Sequence, residues 1–359
     1  MTRDFLIIGG GIAGISAAAR LSHLGTVTLL EAEDHFAHHA SGRSAALFEP
    51  NYGLPPVVAL SQASDHWLRE ANGGVLSPRG FMLVAGPEEE VDFRADASDL
   101  GLDPIGLDAA QAMVPVLNPA TVAFAAHASH AWDIDTDRLL QDFAREARGN
   151  GAELLTRSRV TAIRREAGFW RVETAAGAHE GRMIVNAAGP WADEVAAMAG
   201  IAPIGFTPLR RSMARIPAPA GHDTRGWPLL MGVRESWYAK PDAGALIVSP
   251  SEQDPSHPHD AWPDDMVLAE GLARYEAMVS APVTRLLASW AGLRTFAPDR
   301  VLVIGPDPAE PGFFWLAGQG GYGFQTSAAA SRLVADLVGG GVPELDPATV
   351  SALSPARFR

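Results

Sequence analysis

The chain has 359 residues, 47% of them hydrophobic, with no cysteine and 42 acidic against 28 basic residues, a formal charge of −14. That is enough apolar sequence for a full core in two domains or one domain with a large insertion, and without a stripe of Lys and Arg the acidic balance argues against a nucleic-acid partner. Absence of cysteine excludes a disulfide framework, a thiolate metal site, an iron–sulfur cluster and a cysteinyl link to a cofactor.

The stretch Asp4-Phe5-Leu6-Ile7-Ile8 reads as a buried strand, and Gly9-Gly10-Gly11-Ile12-Ala13-Gly14 carries the GxGxxG spacing into a helix expected over Ser16 to Leu24. Gly9 permits the turn, Gly11 lets backbone approach a pyrophosphate, and Gly14 lets helix pack on strand. The helix start offers free N–H groups to phosphate. Gly25 reads as a C-cap, and Thr26 to Leu30 as a second strand ending at Glu31, where an acid meets a ribose hydroxyl. The motif does not separate FAD from NAD. Because the glycines interrupt the apolar start, it reads as mature sequence, not as a signal peptide; no run of about 18 apolar residues follows, so no spanning helix is expected and the cytoplasm is the default compartment.

His35, His38 and His39 follow, with only Glu31, Glu33 and Asp34 near them, and read as a solvated or cofactor-adjacent loop, not a metal site. Ser41, Arg43 and Ser44 are groups suited to closing over a pyrophosphate. Val57, Leu60, Ser64, Trp67 and Leu68 form a core-facing helical stripe. The character changes at Val75: Phe81 to Ala85 reads as a strand, Glu88 to Gly106 as a polar helix and turn, and a second domain begins. Asp135 or Thr136 caps a helix over Arg138 to Arg148. Strands are expected at 153–155, 159–163, 169–174 and 183–185, the last running into Asn186-Ala187-Ala188-Gly189, whose small residues admit a ligand to the backbone. Strands over 210–214, 237–240 and 245–248 complete the second domain, followed by a helix over Trp262 to Leu286. Strands at 289–294, 301–305 and 313–317 precede a second glycine-rich helix start, Gly318 to Gly323, opening a helix over Phe324 to Val338.

Five further motifs, Ser41-Gly42-Arg43-Ser44-Ala45-Ala46, Asn186-Ala187-Ala188-Gly189, Trp237-Tyr238-Ala239-Lys240-Pro241-Asp242, Ala291-Gly292-Leu293-Arg294 and Gln319-Gly320-Gly321-Tyr322-Gly323, appear in this order. With them the chain, over nearly its whole length, resembles the flavin-dependent D-amino acid oxidase superfamily, and within it bacterial D-amino acid dehydrogenases of the D-arginine dehydrogenase kind. The resemblance implies an α/β fold: a Rossmann-like FAD-binding domain over 1–74, 133–207 and 290–359, and a discontinuous, sheet-based α+β substrate domain over 75–132 and 208–289. It implies non-covalent FAD held by Gly9, Gly11, Ile12, Ala13, Gly14, Glu31, Ser41, Arg43, Ser44, Ala45, Val160, Ala187, Gly189, Trp191, Gly320, Gly321, Tyr322, Gly323 and Thr326. Arg211, Tyr238 and Arg294 match the residues that grip a substrate carboxylate, with Tyr52 beside it. The flavin takes a hydride from the substrate Cα, and oxygen or a quinone takes the electrons onward.

Arg294 has the planar fork of a bidentate carboxylate clamp and sits in an apolar run where an unpaired charge is costly. Arg210 and Arg211 leave opposite faces of one strand, so only one enters the site, and the resemblance selects Arg211. Members that take D-arginine carry an acid where this chain has Phe81, which cannot neutralise a buried cation; Glu49 stands as an acid on another wall. Leu47, Leu229 and Met231 make the rest of the pocket apolar, and Gly321 and Gln325 complete it. The expected reaction is oxidative deamination of a D-amino acid with a neutral side chain. Oxidation of a secondary amine of the sarcosine or proline type, of a 2-hydroxy acid, or service as a non-catalytic electron-transfer subunit are the alternatives.

Overall fold

The computed structural model, which describes residues 2–359, sets the strand Arg3–Ile8 inside an eight-stranded sheet, parallel to Val27–Leu30 on one side and Gly177–Asn186 on the other. Phe5 and Ile7 face one layer of core and Leu6 and Ile8 the other, which explains an unbroken apolar run in place of an alternating one. Glu153–Leu155 extends the sheet beyond Val27–Leu30, and Phe313–Ala317 lies parallel to the C-terminal half of Gly177–Asn186. The helices Ile12–Leu21, Pro55–Glu70, Thr136–Gly149 and Gly323–Gly339 pack together with the Phe5 and Ile7 face. Their joint core is a mixed α/β layer.

A second sheet of nine strands runs in the order Asp254–Pro255, Thr207–Pro217, Ala245–Ser249, Tyr238–Asp242, Leu229–Gly232, Phe81–Ala85, Phe124–Ala128 and Asp103–Ile105, with Ala288–Phe296 also on Thr207–Pro217. Its strands alternate. Met82, Val84, Ala214, Leu230, Ala239 and Val248 bury one face against the helix Asp265–Met278, while Phe81, Leu83, Met213, Leu229, Met231 and Tyr238 turn the other way, toward Leu47 and Tyr52. A three-stranded sheet of Leu47–Phe48, Trp132–Ile134 and Leu76–Pro78 joins the segments where the chain passes between the two.

Several expected boundaries move. The first helix begins at Ile12 and ends at Leu21 with Ser22 as its cap, so Gly25 is not the C-cap; a Cβ there would meet Asp4, which accepts from the Thr26 N–H. The polar helix expected to Gly106 resolves into Glu90–Asp99 and the strand Asp103–Ile105. The helix expected over Trp262 to Leu286 is confined to Asp265–Met278, because the chain then leaves to pair Leu117 with Val279 and to bond Ser280 to Val116. The expected boundary at 290 lies within Ala288–Phe296, a strand that pairs along its whole length with Thr207–Pro217. A short apolar strand carries no mark of the sheet it will join.

Candidate active site

The first glycine turn leaves its backbone bare by necessity. Gly9 has φ of 109°, and a Cβ on it would lie 2.3 Å from the Ala187 carbonyl oxygen; a Cβ on Gly14 would lie 1.9 Å from the Gly9 carbonyl oxygen. Ser41 supplies the helix cap from outside the helix, its hydroxyl accepting from the Ile12 N–H at 3.0 Å. Glu31 accepts from the N–H groups of Gly10 at 2.6 Å and Glu33 at 2.9 Å, which pins the turn to the end of the second strand. A cavity of about 310 Å³ follows, lined by Gly9, Gly11, Glu31, Ser41, Val160, Ala187, Gly189 and Trp191 among others. It runs into a second, of about 140 Å³, lined by Ile12, Ala13, Ser44, Ala45, Gly320, Gly321 and Gly323, with Gly11, Ser41, Ala187 and Gly189 common to both. A cradle that Cβ atoms would fill, two helix starts and an acid at the ribose position fit FAD. Each Glu31 oxygen retains acceptor capacity for a hydroxyl.

Four expected cofactor residues make internal contacts in this structure. Arg43 lines the second cavity, but its guanidinium is committed to the carbonyls of Ala261 and Ala291 and to Asp260, so it straps the Ser41 loop to the Ala288–Phe296 strand. Thr326 is wholly buried, with its hydroxyl donating to the Tyr322 carbonyl one helical turn back. Tyr322 packs its ring against Tyr52 at 5.3 Å and lines neither cavity. Gly14 serves packing alone. Glu33, His38 and His39 do converge, with ligand atoms within 4.8 Å of one another, yet Glu33 is already paired with His39 and Arg159.

The second cavity continues into a third of about 80 Å³, at Ser44, Ala45, Arg294 and Gly321. Leu47, Phe81, Leu229, Met231 and Tyr238 supply its apolar wall, and Glu49, Tyr52 and Gln325 its polar one. Leu229 stands in register beside Phe81 across parallel strands. Arg294 pairs opposite Leu209, two residues from Arg211 along the neighbouring strand, so the two guanidiniums share a face. Arg210, on the other face, goes to Asp254 at 2.8 Å. Gly321 brings its backbone close to the clamp: a Cβ there would lie 3.0 Å from the Arg294 guanidinium carbon.

Both arginines converge on one carboxylate that sequence reasoning missed. Glu235 Oε1 lies 2.9 Å from Arg211 Nη1 and 3.4 Å from Arg294 Nη1. Burial opposes its charge, but Arg211 and Arg294 and hydrogen bonds from Arg211 and Tyr52 hold its carboxyl below the usual carboxylate range. Arg211 is 3% exposed and also donates to the Glu252 carbonyl. Burial works against the charge of Arg294, yet Tyr52, Tyr238 and Glu235 together raise its pKa. Burial also raises the Tyr52 phenol, so its hydroxyl stays a donor. Tyr238 donates to the Met213 sulfur at 3.2 Å. Glu235 escaped notice because it sits on a short turn, Val233–Glu235, where Arg234 and Glu235 take φ of 55° and 52° without glycine, a geometry no local motif announces.

The family model for FAD dependent oxidoreductases, DAO, matches residues 4–337. Human mitochondrial dimethylglycine dehydrogenase is 28% identical over 381 residues, an alignment that covers 96% of this chain but only 44% of that protein. Among solved structures, the L-proline dehydrogenase from P.horikoshii superposes with a TM-score of 0.85 at 24% identity, over 99% of this chain and 98% of that one. The glycine oxidase from Geobacillus kaustophilus gives 0.82 at 23%, over 98% of each chain.

Proposed function

The chain belongs to the DAO family of FAD-dependent oxidoreductases, and on that premise we propose that it oxidises the carbon–nitrogen bond of a small amine carrying a carboxylate, with a neutral substituent. One observation carries this reading: two guanidiniums already close on a carboxylate, that of Glu235, at the edge of a small apolar cavity. A substrate carboxylate has the same charge and the same two oxygens, so it competes for Arg211 and Arg294 on equal chemistry. Bound FAD supplies a two-electron acceptor for the hydrogen on the substrate carbon.

Arg294 and Arg211 fix one end of the substrate, and the apolar wall of Leu47, Phe81, Leu229 and Met231 takes its substituent. Tyr52 and Tyr238 add hydroxyls without adding charge. Phe81 offers nothing to a cationic side chain, which disfavours D-arginine. At about 80 Å³ the pocket is far below the roughly 300–1,000 Å³ of drug-sized ligand sites, which favours glycine-type and N-substituted substrates over bulky D-amino acids. The names of the enzymes it resembles, which act on dimethylglycine, proline and glycine, support the same class.

The test is anaerobic bleaching of the protein-bound flavin by glycine, sarcosine, dimethylglycine, both prolines, D-alanine, D-phenylalanine, D-arginine and 2-hydroxy acids. Fastest bleaching by a small neutral amine is the expected result. Preference for D-arginine or for a 2-hydroxy acid overturns the reading.

A further inference from the structure

One wall of the substrate cavity carries a charge problem that the carboxylate clamp does not solve. Glu49 is 2% exposed and lines the cavity, with Oε1 accepting from the Asn51 N–H at 3.0 Å and lying 3.2 Å from His130 Nε2. Its other oxygen, Oε2, is buried without any hydrogen-bond partner. An orphaned buried carboxylate oxygen is expensive unless something is meant to meet it. Burial pushes the Glu49 carboxyl up to about 8, with the Asn51 N–H pulling the other way. His130, in contact with Glu49, is the more accessible of the two, 29% exposed at its side chain.

We propose that Glu49 is the proton acceptor for the substrate's amino group, with His130 as its outlet to solvent. The inference rests on the functional reading above. With the carboxylate end held at Arg211 and Arg294 and the substituent against apolar residues, the remaining polar group of a small neutral substrate is its nitrogen. Besides Glu235, which is committed to the arginines, Glu49 is the carboxylate in that wall. The titratable and charged groups that share the cavity with it are Tyr52, Tyr238, Glu235 and Arg294, and behind it stands His130, whose own charged neighbour is His127. Among the side-chain oxygens that line the cavity, Glu49 Oε2 is the buried one without a hydrogen-bond partner.

The step balances as follows. An ammonium arriving beside Glu49 drives the acid's own proton out through His130. One N–H bond of the ammonium then breaks, its electron pair remains on nitrogen, and the proton passes to Glu49 Oε2. Binding thus releases one proton to solvent and leaves a neutral amine, whose lone pair forms the C=N bond as the carbon–hydrogen pair departs to the two-electron acceptor.

The experiment uses the flavin-loaded protein and its Glu49→Gln variant. Calorimetry in two buffers of different ionisation enthalpy counts the protons released by 2-aminoisobutyrate, which has no hydrogen on Cα and cannot turn over, with isobutyrate as the amine-free control. The wild type is expected to release about one proton at pH 7 with the amine and the variant none; equal release by both overturns the inference. In turnover, the variant's kcat/KM is expected to fall about 100-fold at pH 7, the low end for a positioned proton acceptor, and to rejoin the wild type near pH 10 where the amine arrives neutral. A deficit that is the same at both pH values, or none at all, also overturns it. His130→Asn, at a half-exposed position, tests the outlet even if the glutamine variant does not fold: it is expected to lower kcat/KM about fivefold at pH 7 only, and an unchanged profile removes the relay. If the wild type bleaches with no carboxylated amine, the functional reading fails; if it does and Glu49→Gln follows it at every pH, only this inference fails.

Discussion

The cofactor cleft and the substrate pocket are neighbours, sharing Ser44, Ala45, Arg294 and Gly321, yet they are built on opposite principles. The cleft is shaped by missing side chains: Gly9, Gly11, Gly320 and Gly323 leave backbone N–H groups and space for a ligand. The pocket is shaped by side chains, charged and aromatic ones among them, brought from five separate stretches of chain. A cleft made of backbone tolerates changes in charge but not an added carbon. A pocket made of charge behaves in reverse.

The largest effect expected from that contrast is at Gly9. Gly9→Val places a branched side chain against Ala187 at a left-handed φ, so the protein is expected to purify without flavin absorbance and to lose about 3 kcal/mol or more of stability. A flavin-replete, normally stable variant would break the comparison from the cleft side. Arg294→Met tests the pocket side. Flavin content should be unchanged while kcat/KM for a carboxylated amine falls about 100-fold, in line with about 1.5–3 kcal/mol for hydrogen bonds to charged groups. Steady-state kinetics beside the visible spectrum separates the two.

Glu235→Gln sharpens the comparison further, because it weakens the internal carboxylate that holds the clamp shut. KM is expected to drop about fivefold to tenfold, as the clamp is populated in its open form, with a lower melting temperature from the less well-paired Arg211. A raised KM would mean that Glu235 helps to hold the substrate. The smallest effect is one of pH. Glu49 has a folded-state pKa of about 8, above the ordinary 4.5, so the folded chain keeps a proton that the unfolded chain gives up. Its contribution to stability is therefore greatest below about pH 4.5 and is lost as pH rises toward 8. In thermal melts, Glu49→Gln is expected to gain on the wild type progressively as pH rises across that window, and nothing at pH 4. An advantage independent of pH would assign Glu49 an ordinary carboxyl.

How much could be read beforehand follows the same division. The glycines and the strand before them were legible because their chemistry is local: turn, helix start and acid lie within Asp4 to Glu31, and each is dictated by sterics over a few residues. Choosing Arg211 over Arg210 was half legible, since alternation says that the two part company and not which one goes inward. The internal partners of Thr326 and Arg43, the Tyr322 carbonyl and the Ala291 carbonyl, were not legible, because sequence distance conceals them or no local pattern announces them.

By itself, the sequence determined the mixed α/β architecture, the dinucleotide cradle and the apolar character of the wall around Phe81, all of which rest on local periodicity and on the presence or absence of side chains. Tertiary structure decided which strands share a sheet, moving Ala288–Phe296 onto Thr207–Pro217 and so bringing Arg294 beside Arg211. It also decided that Glu235 occupies the clamp and that Glu49 faces His130 with one oxygen unmet. Electrostatic partnership depends on distance in space, and residues 24, 59 or 81 positions apart in the chain carry no local record of it.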